Sequence, residues 1–290
     1  MRRALEAHWR EYLLEAVLLG CFMLSASSFA VLLEHPASPV RQGIDSAVLR
    51  RVLMGCAMGL TAVTLIYSPW GRRSGAHINP ATTLTFFRLG RVSPWDAAFY
   101  VSAQFVGAVA GMLIASRLLG LLLAAPTVNF VSTQPGMRGP AVAFAAELVI
   151  SCVLASCVLR SNASPRLRPY TGLMAGALVA TFITVEAPLS GMSMNPARSF
   201  GSAVVAAQWT AICVYFTAPP LGMQRAAQIH LRGRGRVRVC AKYRPHAPGE
   251  ACHFCAWADR DDDATRPPPP VDAPPSALAA VGARRDVVAR

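Results

Sequence analysis

This sequence is short of charge. Of its 290 residues only 15% are Asp, Glu, Lys or Arg, against about 25% in an average soluble domain. Acidic residues are the scarcer sign, 15 against 28 basic ones, for a formal net charge of +13. So little charge beside 53% apolar residues excludes a wholly disordered chain. No small-residue cleavage site separates Met1-Arg2-Arg3 from the apolar stretch beginning at Leu13, so that stretch reads as a retained first span and not as a signal peptide. The eight cysteines make no secreted disulfide framework, because Cys21, Cys56, Cys152, Cys157 and Cys213 are scattered through apolar runs, where a cysteine acts as a small hydrophobe. What remains is a pattern of long apolar stretches separated by short Arg-bearing gaps, the signature of a multi-span membrane protein.

Six segments are long enough to cross a hydrocarbon layer about 30 Å thick: 12–33, 48–67, 97–116, 141–159, 171–188 and 204–223. Two further apolar pieces, 78–88 and 195–203, are too short to cross. One follows the second span and the other the fifth, so each half of the chain holds three spans and one half-length element. That is the layout of an inverted repeat.

The repeat is legible residue by residue. Ser74-Gly75-Ala76-His77-Ile78-Asn79-Pro80-Ala81 aligns with Ser190-Gly191-Met192-Ser193-Met194-Asn195-Pro196-Ala197 at a constant offset of 116. Glu15 in the first span and Glu147 in the fourth hold comparable places. With three spans per half, the second copy enters the membrane with opposite topology, and the two short elements can meet at the midplane. Arginine placement fits an even number of spans with both termini inside. Arg2, Arg3, Arg10, Arg72, Arg73, Arg88, Arg91, Arg160, Arg166 and Arg168 then lie on one side with Arg225, Arg232, Arg234, Arg236 and Arg238, as the positive-inside rule requires. The net positive charge is thereby explained without nucleic acid.

Each motif reads as a helix start. Asn79 and Asn195 suit the cap position, and Pro80 and Pro196 the first helical position, where no amide donor is needed. With each cap side chain held from behind, its amide hydrogens face a pore where the positive ends of two half-helices converge. This suits a neutral polar solute and opposes a cation. A single Asn-Pro-Ala is more often a plain turn or cap; two copies, each behind Ser-Gly among six spans, are specific.

On these motifs residues 8–225 resemble the aquaporins, or major intrinsic proteins, in their water-channel branch. The resemblance implies an all-α membrane fold of six transmembrane helices and two re-entrant half-helices in an inverted 3+3 repeat. It implies a passive channel for water and small uncharged solutes, not an enzyme, in which Pro80, Ala81, Pro196 and Ala197 belong to the pore motifs. By resemblance Arg198 lines the outer constriction; an Arg snorkelling to headgroups is the plain alternative. The other ring positions map to Met58 (with Gly59 open by one residue), Ile183 and Met192. All are apolar where strict water channels carry an aromatic and a His, which points to a less polar ring. Ser199 follows Arg198 where glycerol conductors carry Asp, which points back to the water branch. His77 would line the inner vestibule, or be a satisfied structural histidine. Glu15 and Glu147 invite a proton-relay reading, but the repeat favours a scaffold role in which each accepts bonds from its own half's loop, with Gln104 in the same buttress. Homotetramers are implied by resemblance.

The expected domains are a channel at 1–226, with halves near 8–125 and 135–226, a basic Cys/His-containing cytoplasmic tail at 227–257, and a disordered Pro/Asp-rich tail at 258–290. No cofactor is expected in the channel. Cys252-x-x-Cys255 has the close spacing of a zinc pair, which Cys240 and His246 can complete, but the wide gap from Cys240 favours free thiols over a structural zinc. The alternating Arg residues near 231–238 suit an anionic lipid surface; no nucleic-acid recognition module accompanies them. The chain is expected in a plasma or inner membrane with both termini cytoplasmic. Rival readings are a glycerol-type facilitator, a coupled transporter with broken helices, and a closed-pore structural membrane protein.

Overall fold

The computed structural model describes residues 1–233, 239–246 and 252–264, with side chains through Asp259. In chain order its principal helices are α1 (Arg2–Glu34), α2 (Ala47–Tyr67), α3 (Pro80–Arg88), α4 (Pro94–Leu119), α5 (Gly139–Asn162), α6 (Thr171–Val185), α7 (Pro196–Ala206), α8 (Ile212–Gly233) and α9 (His253–Ala264). No strand occurs among the described residues. Helices α1, α2, α4 and α5 are long and apolar enough to cross a membrane. Helix α6 has 15 residues, about 22 Å at 1.5 Å per residue, and is prolonged at its start by the 3-10 turn Arg168–Tyr170. Helix α8 is diluted by Pro219, Pro220 and a basic final turn.

Helix pairing obeys the repeat. The closest pairs are α1 with α4, α5 with α8, and α2 with α6: first span with third in each half, and the two second spans across the midline. Each half-helix also packs on the third span of the opposite half, α3 on α8 and α7 on α4. Small residues let these backbones meet. A Cβ on Gly107 would stand 2.1 Å from the Ala16 oxygen, and one on Gly59 would stand 2.6 Å from the Gly176 oxygen. The small-residue seams therefore lie inside the bundle. Outward, Leu13, Val17, Leu60, Val106, Leu113, Leu118, Val149 and Leu173 are exposed, an apolar belt without a partner in water. Half-exposed Trp9, Trp70 and Trp95 sit at the end of the bundle that holds Arg2 and α9, here the terminal end, and Trp209 at the far end, where interfacial aromatics belong.

Several boundaries differ from expectation. The sixth span is Ile212–Gly233 and not 204–223, because residues 204–206 complete α7, which ends at Ala207 with a left-handed φ of 53°. The fifth stops at Val185, and a separate turn, Ala187–Ser190, follows it. The proposed domain limit at 226 falls inside α8, which runs through it unbroken. Helix α9 occupies 253–264, so structure extends into the stretch expected to be disordered from 258; 265–290 and Arg234, Arg236 and Arg238 lie outside the described residues.

Candidate functional site

The two half-helices meet by their N-termini. Pro80 and Pro196 stand at the first helical positions and Asn79 and Asn195 at the caps. Asn79 Oδ1 accepts from the Ala81 amide at 2.9 Å, and Asn195 Oδ1 from the Ala197 and Arg198 amides at 3.1 and 3.2 Å. Each Nδ2 then reaches across the midline: Asn79 donates to the Met194 oxygen and Asn195 to the Ile78 oxygen, both at 2.7 Å. An amide nitrogen carries two hydrogens. One is therefore committed to the opposite loop, and one is left for the pore in place of the two expected from the sequence.

The loops before the caps have a conformation that the sequence did not announce. Ala76 and Ile78, and their repeat partners Met192 and Met194, all have left-handed φ, between 40° and 53°. For β-branched Ile78 this is strained, and such strain concentrates at functional sites. The pattern turns the Ile78 and Met194 carbonyls inward to the opposing asparagines.

Buried carboxylates hold the loops. Glu15 accepts from Ser74 Oγ at 2.8 Å, the His77 amide at 3.0 Å, the Ile78 amide at 2.6 Å and Gln104 Nε2 at 2.9 Å. Glu147 accepts from Ser190 Oγ at 2.7 Å, the Ser193 amide at 2.6 Å and the Met194 amide at 2.7 Å. The donors correspond at the offset of 116. Gln104 has no counterpart, because Pro219 stands at the matching point of α8. A second symmetric pair escaped the sequence reading: Tyr100 Oη donates to the Ser74 oxygen and Tyr215 Oη to the Ser190 oxygen, both at 2.6 Å. Extending the repeat into the third and sixth spans, where the two tyrosines fall 115 residues apart, would have found them.

A cavity of about 370 Å³ runs along this axis. Glu34, Arg51 and Thr127 line its far end. Met58, Ile183, Met192 and Arg198 all line it, as do Asn79, Asn195 and His77. Gly59, the open alternative to Met58, faces Gly176 of α6 instead. Arg198 lines the cavity, and its Nη1 is buried with no hydrogen-bond partner among the described residues. Ser199 points away, its Oγ 2.6 Å from Ser193 Oγ and accepting from Thr133 at 2.7 Å.

At the terminal end the tail enters the site. His77 is 1% exposed, and its Nε2 donates to the Ala241 carbonyl at 2.5 Å. That makes Nδ1 the acceptor for the Thr83 hydroxyl at 3.1 Å. The Tyr243 amide donates to the Gly75 oxygen at 3.0 Å, and the Tyr243 side chain lines the cavity. Beside this segment Cys240, His246, Cys252 and Cys255 come together, all four ligand atoms within 4.8 Å of one another.

Antiparallel half-helices capped across a shared midplane, inside a six-helix inverted repeat, define a transmembrane channel for water and small solutes. The chain belongs to the Major intrinsic protein family, whose model matches residues 4–230; members of this family are channels, not enzymes. It is 31% identical over 210 residues to the probable aquaporin NIP7-1 of Arabidopsis thaliana, covering 71% of each chain. It is 38% identical over 167 residues to the putative aquaporin NIP4-1 of the same plant, covering 57% of this chain and 56% of that one. It is 32% identical over 203 residues to aquaporin TIP4-4 of Zea mays, covering 65% of this chain and 79% of the relative. The X-ray structure of the aquaglyceroporin from Plasmodium falciparum shares the fold, with a TM-score of 0.61 and 18% identity over 77% of this chain and 95% of that one.

Proposed function

We propose that the chain conducts water and small uncharged solutes passively, without a covalent step, and that Asn79 and Asn195 orient each solute while Arg198 guards the far mouth. The observation that carries this is the reciprocal pair of bonds, Asn79 to Met194 and Asn195 to Ile78. It fixes two donors and two inward carbonyls at one depth, a polar crossing point with no ionisable group. A coupled transporter would need a titratable group or carbonyls open to an ion there, and both carbonyls here are engaged by asparagines.

The constriction is asymmetric in character. Met58, Ile183 and Met192 give it an apolar wall and Arg198 a single cationic one. An apolar wall favours the carbon face of a polyol as well as water, so glycerol-sized solutes belong to the proposed substrate range. The Arg bias supports cytoplasmic termini, in a plasma or inner membrane, with lipid against the apolar belt. The protein assembles as a homotetramer with one pore per chain.

Stopped-flow swelling of proteoliposomes tests this, first under an impermeant osmolyte and then under glycerol. Water permeability above that of protein-free vesicles is expected, with a smaller glycerol flux. No flux of either, with the tail segment displaced from the terminal mouth, would overturn the reading.

A further inference from the structure

The tail is tied to the channel by bonds that cross its mouth. On one side the Ala241 oxygen accepts a hydrogen bond from His77 Nε2, and the Tyr243 amide donates to the Gly75 oxygen. On the other, Asn162 at the end of α5 donates to the Cys240 and Lys242 oxygens at 3.3 and 2.9 Å. Gly75 and His77 belong to the first half of the repeat and Asn162 to the second, so the segment Val239–Tyr243 bridges the two halves over the axis. Lys242, the only lysine in the chain, is 6% exposed, and its Nζ donates to the Arg72 and Arg73 oxygens at 2.9 and 3.1 Å. From α9, Phe254 stacks on His77 with ring centroids 5.3 Å apart. Tyr243 Oη lies 3.3 Å from Thr82 Oγ1. The Tyr243 side chain lines the cavity beside His77, while the Ala241 carbonyl and the Phe254 ring cover the His77 imidazole.

Something must hold a short irregular segment and a separate helix in this arrangement, and the cysteine cluster stands where they join. Cys240 comes from the segment and His246 lies three residues beyond it; Cys252 directly precedes α9 and Cys255 stands in its first turn. Cys240 Sγ and Cys252 Sγ are 3.8 Å apart, and His246 Nε2 and Cys255 Sγ 3.2 Å. A tetrahedral zinc with Zn–S bonds of about 2.3 Å has sulfur–sulfur edges of about 3.8 Å. Three thiolates and a neutral imidazole around a divalent ion carry one net negative charge. Arg91, Arg168 and Asp259 line the cleft that this cluster shares, two positive side chains against one negative.

We propose that Cys240, His246, Cys252 and Cys255 bind one zinc ion, and that this ion clamps Val239–Tyr243 and α9 into a plug across the terminal mouth of the pore. Zinc fits the donor set because thiolate and imidazole in four-fold closed geometry is its structural mode. Because the metal joins parts of the tail that the described backbone does not pair, its removal frees both. The effect on flux rests on the channel reading; metal binding and tail docking do not.

The test takes the full chain in three measurements. Elemental analysis of the purified protein is expected to find about one zinc per chain, lost in Cys252→Ser and Cys255→Ser and kept in Cys56→Ser, a distant exposed cysteine. Hydrogen exchange is expected to show protection of the 239–246 amides that is lost on chelation. Water permeability is expected to rise about tenfold with chelator, as it must if the tail is docked in about nine of ten molecules. A zinc-free chain, or a Cys240–Cys252 disulfide in its place, overturns the site. Zinc whose removal leaves the amides protected overturns the clamp. Tail release with unchanged, measurable permeability overturns the plug. Tail release with no permeability at all leaves the clamp standing and sinks the channel reading.

Discussion

Asn79 donates to the carbonyl of Met194 at 2.7 Å, a bond between two loops that begin at opposite faces of the bundle. Its mirror, Asn195 to Ile78, has the same length. Replacing Asn195 with Ala removes one donor and strands a carbonyl already strained by its residue's φ of 40°. The change also removes the cap bonds to the Ala197 and Arg198 amides, and loss of a helix cap costs about 1 kcal/mol. Asn195→Ala should therefore lower the thermal midpoint in detergent and reduce water permeability together. Asn79→Ala should do the same to a similar extent. A large difference between the two would mean that the pair is not reciprocal in solution.

Glu15 and Glu147 accept every bond the structure gives them, and each takes two backbone amides of its loop. A glutamine offers one oxygen and one donor, so Glu147→Gln sets an NH₂ group against an N–H. The loss of a charge-assisted bond and the clash of donors should together cost about 2–4 kcal/mol. The expected result is poor folding yield and a lowered midpoint, with no new pH dependence in the surviving flux. A stable Glu147→Gln channel with altered proton leak would restore the relay reading.

The repeat made the caps and the carboxylates legible, because identical local chemistry at one offset is visible without any fold; the ring positions came from the family resemblance. The sixth span was misplaced for a physical reason: the apolar run 204–206 looks like span but finishes α7, while Pro219 and Pro220 sit inside the true helix. The left-handed residues were illegible because Ile78, Met192 and Met194 are not residues that favour that conformation; tertiary bonds to Glu15 and Glu147 impose it. The docking of Ala241 under His77 was illegible too, since a carbonyl 164 residues away leaves no trace in local pattern.

The seam between α2 and α6 offers a packing test. A Cβ on Gly59 would stand 2.6 Å from the Gly176 oxygen, and backbone cannot step aside as a side chain can. Gly59→Val should cost about 3 kcal/mol by overpacking and should distort the ring through its neighbour Met58. Gly43→Ala, where nothing lies within 4 Å, should change stability by no more than about 0.5 kcal/mol. Thermal midpoints measured by size exclusion after heating compare them directly. Equal midpoints would mean that the helices separate more easily than the structure implies.

Arg198 separates stability from selectivity. Its Nη1 has no partner among the described residues, so Arg198→Ala breaks no bond made by that nitrogen, and the fold should hold. What disappears is a fixed positive charge on the pore wall. Two unit charges 4 Å apart repel by about 4 kcal/mol at an effective dielectric of 20, close to a thousandfold in the passage of a monovalent cation. Removing the side chain also widens a ring whose other members, Met58, Ile183 and Met192, are apolar. With the tail released, Arg198→Ala should keep its water permeability, admit glycerol faster and show cation conductance that the parent lacks. Arg198→Lys, which keeps charge but not the planar fork, should still exclude cations while losing part of its hold on polyols. Identical solute and ion profiles in all three proteins would place the filter elsewhere along the cavity.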